Sequence, residues 1–317
     1  MAERDIVVIG GGMAGSTAAV FAARLGRDTL VLNSGLPGGQ LLNVGRIEDF
    51  PGFTDGIAGF DLCPSVQDQA LAAGAAFEMV EAQSLEQRDG AWVVVTSGGE
   101  VMTNAVIVAT GSRPRLLGIA GEAELVGRGI SHCASCDGPL YRGQVVGVVG
   151  GGDSALQEAL ELAEHVDRVI VFHRGAALAG QHTYQARVAE APKIEVRYHT
   201  VVEEVRGAGT LSSVVTRDVE HASTDEVELG GLFLYVGSEP NSMLMPPGMA
   251  LDHHARVITD TRMRTGLAGL FAAGDIRADS AAQAVSAAGD GATAAVTAHR
   301  FLAGEAWPAP ERATTTP

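Results

Sequence analysis

With 317 residues, 46% of them apolar and 19% charged, the chain is long enough for about two domains with sizeable cores. A formal net charge of −16 argues against nucleic acid and anionic membranes as partners, and no run offers the roughly 18 uninterrupted apolar residues of a membrane span. Met1 leads within a few residues into the apolar "IVVIG", so a cytoplasmic protein without a leader peptide is expected, in a compartment that keeps thiols reduced.

The first element pair is "DIVVIGGGMAGSTAAVFAARLG": an apolar strand, a loop with Gly10, Gly12 and Gly15 in G-x-G-x-x-G register, then an Ala-rich helix. In that context the first Gly makes a tight turn, the second admits a pyrophosphate to the backbone, and the third position, kept small, lets helix pack on strand. Strands follow at "WVVVTSG" and "AVIVATGSRP". Next comes "CASCDG", which holds two of the three cysteines, Cys133 and Cys136, with Asp137 attached. Such a pair can clamp a metal, close a structural disulfide, or cycle between dithiol and disulfide. A structural zinc needs four ligands, and only His132 lies adjacent while Cys63 stands alone, so no metal is expected.

A second glycine unit begins just downstream. "QVVGVVGGGDSALQEALELAEH" repeats the strand, loop and helix with Gly150, Gly152 and Ala155 in G-x-G-x-x-A register. Two such units imply two dinucleotides and an α/β fold with two Rossmann-like domains. The remaining apolar runs are "RVIVFHRG", "KIEVRYHTVVEEV", "GLFLYVGSEPN" and "GLFAAGDI", and the tail "WPAPERATTTP" is expected to fray.

Together with "GGQL", "EDFPG", "GRGISHCASCDG" and "AAQAVSAAGDGATAA", these motifs in this order resemble the low-molecular-weight thioredoxin reductases of the two-dinucleotide flavoprotein family, over nearly the whole chain. The resemblance implies an FAD domain from residues 1–115 and 246–317, with a nicotinamide domain, 116–245, inserted between and carrying the CxxC pair. It implies that Gly10, Gly12 and Gly15 hold the FAD pyrophosphate, that Gln40 approaches the flavin, that Asp275 bonds the ribityl chain, and that Gln283 and Ala284 cover the pyrimidine edge. Gly150, Gly152 and Ala155 would cradle NADPH. Cys136 would face the flavin, Cys133 would attack the substrate disulfide, and Asp137 would serve as acid/base. A start of helix at the pair would favour a thiolate through its N-terminal dipole. The implied activity runs from NADPH through FAD and the pair to a thioredoxin-like protein or a small disulfide, in a homodimer.

Departures from the family pattern bear on the donor. His173 and Arg174 stand where a ribose-recognising residue belongs, and an Arg there favours the 2′-phosphate of NADP. Gly175 and Ala179 replace arginines usual in NADPH-dependent members, which leaves NADH, or no nicotinamide at all, as alternatives. Asn33 ends the first unit's second strand where many FAD proteins place Glu, and Ala282 precedes Gln283 where Arg is common. A thiol oxidase using oxygen and a ferredoxin-dependent reductase are the rival relays.

Overall fold

The computed structural model describes residues 2–307, so most of the expected frayed tail lies outside the described residues. The chain opens with β1 (Ala2–Ile9), α1 (Met13–Arg24), β2 (Thr29–Leu32), α2 (Gly59–Ala72), β3 (Ala76–Glu78), β4 (Ala82–Arg88), β5 (Ala91–Thr96) and β6 (Gly99–Val108). It continues through β7 (Ser112–Pro114), α3 (Glu122–Leu125), β8 (Ile130–Ser131), α4 (Ala134–Asp137), β9 (Val145–Gly150), α5 (Asp153–His165), β10 (Arg168–Phe172) and α6 (His182–Glu190). β11 (Ile194–Arg197), β12 (Thr200–Arg206), β13 (Ser213–Asp218), β14 (Thr224–Glu228), β15 (Gly231–Tyr235), β16 (Ser238–Pro240), β17 (Leu270–Ala272) and α7 (Ala284–Leu302) complete it. Contacts divide the chain into two compact units, one running up to Arg113 and again from Glu239, the other Pro114–Ser238.

The first unit is built on a sheet of order β3-β2-β1-β6-β5-β4, with β17 also paired to β6. Its β1, β2, β3, β6 and β17 pairings are parallel, while β4, β5 and β6 form an antiparallel meander. β1 reads as an unbroken apolar run because both its faces are covered: Ile6 and Val8 face α1 and α7, while Val7 and Ile9 meet Leu30, Leu32, Val106 and Val108. Each such side chain, fully buried, contributes about 1.5–3 kcal/mol. The Ala- and Gly-rich character of α1 and α7 has a steric cause. A Cβ on Gly291 of α7 would stand 2.0 Å from the Ala14 carbonyl oxygen of α1, so the two helices meet nearly backbone to backbone.

The second unit has an all-parallel sheet, β11-β10-β9-β15-β8, and an antiparallel three-stranded sheet, β12-β13-β14. Two of the apolar runs each divide into two strands. "KIEVRYHTVVEEV" breaks at His199, whose φ of 51° ends β11 and sends β12 into the other sheet. "GLFLYVGSEPN" breaks at Gly237, φ 98°, between β15 and β16. β7 and β16 pair where the chain crosses between units. No described helix is long and apolar enough to cross a membrane.

Candidate active site

In the first unit, the loop after β1 has a distinct physical demand at each glycine. Gly10 sits at φ 103°, and a Cβ there would come to 2.3 Å from the Ala109 carbonyl oxygen. Gly12 opens on free space. Gly15 lies where α1 crosses the loop, and its Cβ would stand 1.8 Å from the Gly10 oxygen. The open side of Gly12, at the N-terminus of a 12-residue helix, is the place where an anion can meet backbone N–H groups. Asn33, at the end of β2, accepts a hydrogen bond from Gly11 N (2.8 Å) and donates to the Gly35 carbonyl (2.7 Å). It braces the loop.

Gln40 and Asp275 meet in one cluster through a residue that sequence reasoning missed. Gln40 Nε2 donates to the Ser112 carbonyl and hydroxyl oxygens, and Ser112 Oγ and Ser280 Oγ each donate to Asp275 at 3.4 Å. Burial pushes the Asp275 carboxyl above the usual range, against the pull of those two hydroxyls. Gln283 caps α7 in a reciprocal box with Ser286, which places Ala284 as the helix's first residue. Asp290 was also missed. It is buried in α7, accepts from Gly274 N (3.1 Å), and grips Arg277 with both oxygens at 2.5 and 3.1 Å, tying the "AGDIR" turn to the helix. Cys63, buried, has its thiol pushed up to about 11 by desolvation.

The second unit holds the other loop and the cysteines together. Gly150 has φ 152°, and its Cβ would meet the Tyr235 carbonyl at 2.5 Å, while Gly152 opens on free space and Ala155 is fully buried under the loop. The segment after β10 folds back over this loop: Ala179 N and Gly180 N donate to the Gly151 carbonyl, and Gln181 N donates to Asp153. His173 faces two carbonyl oxygens, Gly150 O from Nδ1 (3.2 Å) and Ala177 O from Nε2 (2.8 Å), so its ring is engaged in holding the loop. Gly151 is glycine for that ring, since a Cβ would stand 2.2 Å from Nδ1. Arg174, beside it, is exposed.

Cys133 and Cys136 are joined as a disulfide. Cys133 caps α4, and its Sγ accepts from Cys136 N at 3.1 Å. The helix start expected at the pair is present: α4 is a turn of four residues, continued by a 3-10 turn over Gly138–Tyr141. The helix-start donor that reaches Cys133 Sγ is the Cys136 N–H. Ser131 organises the acid: its hydroxyl donates to Asp137 Oδ2 at 2.6 Å and accepts from Cys133 N at 3.1 Å. His132 turns Nδ1 to the Leu234 carbonyl (3.1 Å), and among the described residues no group of three His, Cys, Asp or Glu is placed to hold a metal ion. From α5, the buried Glu158 accepts both Ala134 N (2.8 Å) and the Tyr235 hydroxyl (3.0 Å) on Oε2. No motif flagged Ser131, Glu158 or Tyr235, because their role depends on strands brought together by the fold.

Comparison with known proteins agrees with this geometry. A family model described as pyridine nucleotide-disulphide oxidoreductase matches residues 4–291. The chain is 39% identical over 300 residues to a thioredoxin reductase of Treponema pallidum, covering 95% of this chain and 97% of that protein. It is 39% identical over 307 residues to the NADPH-dependent thioredoxin reductase 3 of Arabidopsis thaliana, covering 94% of this chain and 58% of that protein. Among solved structures, a thioredoxin reductase of Lactococcus lactis superposes with a TM-score of 0.92 at 37% identity, over 95% of this chain and 99% of that one. The chain belongs to the pyridine nucleotide-disulphide oxidoreductase family, among its thioredoxin reductases.

Proposed function

We propose that the chain takes two electrons from NADPH and delivers them, through FAD and the Cys133–Cys136 pair, to the disulfide of thioredoxin. The observation that supports this most directly is the disulfide itself, held in the same unit as the second glycine loop, with an N–H aimed at the sulfur of Cys133.

The first unit fits FAD on its own stereochemistry, because Gly12 leaves the space a Cβ would take and the N-terminus of α1 faces it. On this reading Gly10, Gly12 and Gly15 hold the pyrophosphate, Asp275 the ribityl hydroxyls, and Gln40, Gln283 and Ala284 the flavin. FAD bound there supplies two-electron transfer between a nicotinamide and a disulfide. In the second unit Gly150, Gly152 and Ala155 hold the nicotinamide nucleotide, Arg174 receives the 2′-phosphate, and His173 keeps the loop in shape. Residues up to Arg113 and from Glu239 then form the FAD domain, with the nicotinamide domain between.

The thiol chemistry follows from the local bonds. In the reduced pair, the Cys136 N–H stabilises a thiolate on Cys133, which attacks one sulfur of the substrate disulfide and releases the other as a thiolate. Asp137, oriented by Ser131, is placed to hand that leaving group a proton. Cys136 then attacks Cys133 Sγ, which closes the Cys133–Cys136 bond and frees the second substrate thiol. The test is trapping. Cys136→Ser, incubated with thioredoxin activated as a mixed aromatic disulfide, should accumulate a covalent adduct at Cys133 by mass, whereas Cys133→Ser should not. An adduct on Cys136 instead would reverse the roles, and none in either variant would sink the relay.

A further inference from the structure

The buried carboxylate of Glu158 has no part in the chemistry above, yet it touches the redox turn at its centre. Ala134, whose N–H it accepts at 2.8 Å, lies between the two cysteines and is itself fully buried. The same oxygen accepts the Tyr235 hydroxyl, and Tyr235 is paired in register with Gly150 of the nucleotide loop. One carboxylate thus joins the glycine loop, β15 and the cysteine turn. Its surroundings contain no cation partner among the described residues. Glu161, one turn along α5, and Tyr235 are the ionisable groups that act on it. α4 brings Asp137 and the turn after it Tyr141, while Tyr184 of α6 is directed to Gln157. Arg168 of β10 and Arg197 of β11 pair with Glu195, and His165 lies against Gly138. A neutral side chain would fill this site without the desolvation of an unpaired charge, so packing alone does not account for an acid here.

We propose that Glu158 is a positioning residue of the disulfide relay: its ionised carboxylate grips the Ala134 N–H and so holds the turn in which Cys136 N–H meets Cys133 Sγ. This rests on the reading of Cys133 and Cys136 as the redox pair. A charge-assisted hydrogen bond is about twice as strong as a neutral one, so protonating Glu158 loosens the turn without breaking the fold. Burial pushes this carboxyl up to about 7, which puts the change of grip near neutral pH.

The experiment uses the full FAD-loaded chain, reduced with dithiothreitol, desalted without oxygen, and mixed with the aromatic disulfide dithiobis(nitrobenzoate). The reduced pair attacks the probe, Cys133 forms the mixed disulfide, and Cys136 closes the bond, with two equivalents of nitrothiobenzoate released. The quantity read is the rate of wild type divided by that of Glu158→Gln at each pH, a ratio that includes any loss of Cys133 thiolate when the turn loosens. It should lie near 1 at about pH 5.5 and rise to about tenfold by about pH 8.5, the increment expected for losing the charge on one such bond. Tyr235→Phe removes a donor that favours the ionised form, so in that variant the rise should move to higher pH. A ratio that is flat with pH would assign Glu158 a packing role only and overturn the proposal. A ratio below 1 at high pH would overturn it as well, by making repulsion of the thiolate the larger effect. Because the probe needs neither NADPH nor thioredoxin, failure of thioredoxin reduction alongside the expected ratio would defeat the proposed function and leave the role of Glu158 standing.

Discussion

The two glycine loops share a motif and a strand-loop-helix frame, yet they are tight in different places. In the first, the squeeze is between helix and loop, at Gly15, while Gly11 has only ordinary to close contacts with Asn33 and Pro37. In the second, the corresponding third position tolerates Ala155, and the squeeze moves to Gly151 against the His173 ring. The residue that ends the following strand differs in kind as well. Asn33 accepts a loop N–H, whereas His173 lies against a loop carbonyl. One fingerprint therefore supports two different braces, and in the second loop the brace itself excludes a side chain, at Gly151.

The sharpest way to break this comparison is to exchange the third positions. Gly15→Ala would force a methyl to within 1.8 Å of a backbone oxygen that cannot rotate away. The strand and helix would have to separate, at a cost of several kcal/mol in a close-packed interior. The purified variant should carry little or no FAD. Ala155→Gly should be mild, about 1 kcal/mol for a glycine inside a helix, with FAD content unchanged and nicotinamide binding weakened only slightly. Equal loss of FAD in both variants would show that the loops are not differently packed.

A second comparison sets the buried carboxylates of the two units side by side. Asp275 and Glu158 are both raised by desolvation, but Asp275 has two hydroxyl donors at 3.4 Å while Glu158 has a peptide N–H and a phenol. For Glu158, the folded protein holds a proton up to about pH 7, whereas an unfolded carboxyl releases it near 4.5. The folded state binds more protons between those values, so this contribution to stability is complete below the lower one and is lost as pH rises through the upper. The swing is on the order of 3 kcal/mol. Thermal unfolding of wild type and Glu158→Gln at about pH 4.5 and pH 8 should show the variant gaining on wild type at the higher pH. A constant difference between the two proteins would show that the fold does not raise the Glu158 carboxyl above its unfolded value. The site thus trades stability for grip, since the form that holds Ala134 most strongly is the one that folding favours least.

These contrasts also mark what the sequence could convey. Both glycine loops and their helices were legible because their signals are local: an apolar strand, a fixed spacing, an Ala-rich helix. The two Rossmann-like units followed from that repeat and from the order of motifs. The breaks at His199 and Gly237 were not legible, because a single positive φ inside an apolar run leaves the alternation intact on either side. The supporting residues were hidden for another reason. Ser112, Asp290, Ser131 and Glu158 acquire their roles from partners 163, 16, 6 and 24 positions away, and a lone Ser or Glu at such distances resembles any surface residue. The helix start expected at the cysteine pair is present, but the spacing that marks it says nothing of the helix's length, which is a single turn before Gly138.

The smallest expected effect concerns the electron donor, where the second loop differs from its relatives' usual pattern. With both nitrogens of His173 directed at carbonyls, Arg174 is the cation at the end of β10 that remains exposed for a 2′-phosphate, and Gly175 and Ala179 supply no second one. Hydrogen bonds to charged groups contribute about 1.5–3 kcal/mol, and solvent screening at an exposed position brings that to the low end. The preference for NADPH over NADH should therefore be about tenfold, which corresponds to 1.4 kcal/mol. Anaerobic titration of the flavin absorbance with each nucleotide measures it directly. Arg174→Ala should erase most of the preference by weakening NADPH and leave NADH reduction nearly unchanged, because the 2′-hydroxyl gains nothing from the cation. A preference that survives the substitution would place phosphate recognition elsewhere on the 174–181 segment. If neither nucleotide reduces the flavin while reduced ferredoxin or a small dithiol does, the nicotinamide-dependent route falls, and the second loop is a structural inheritance whose braces outlasted its ligand.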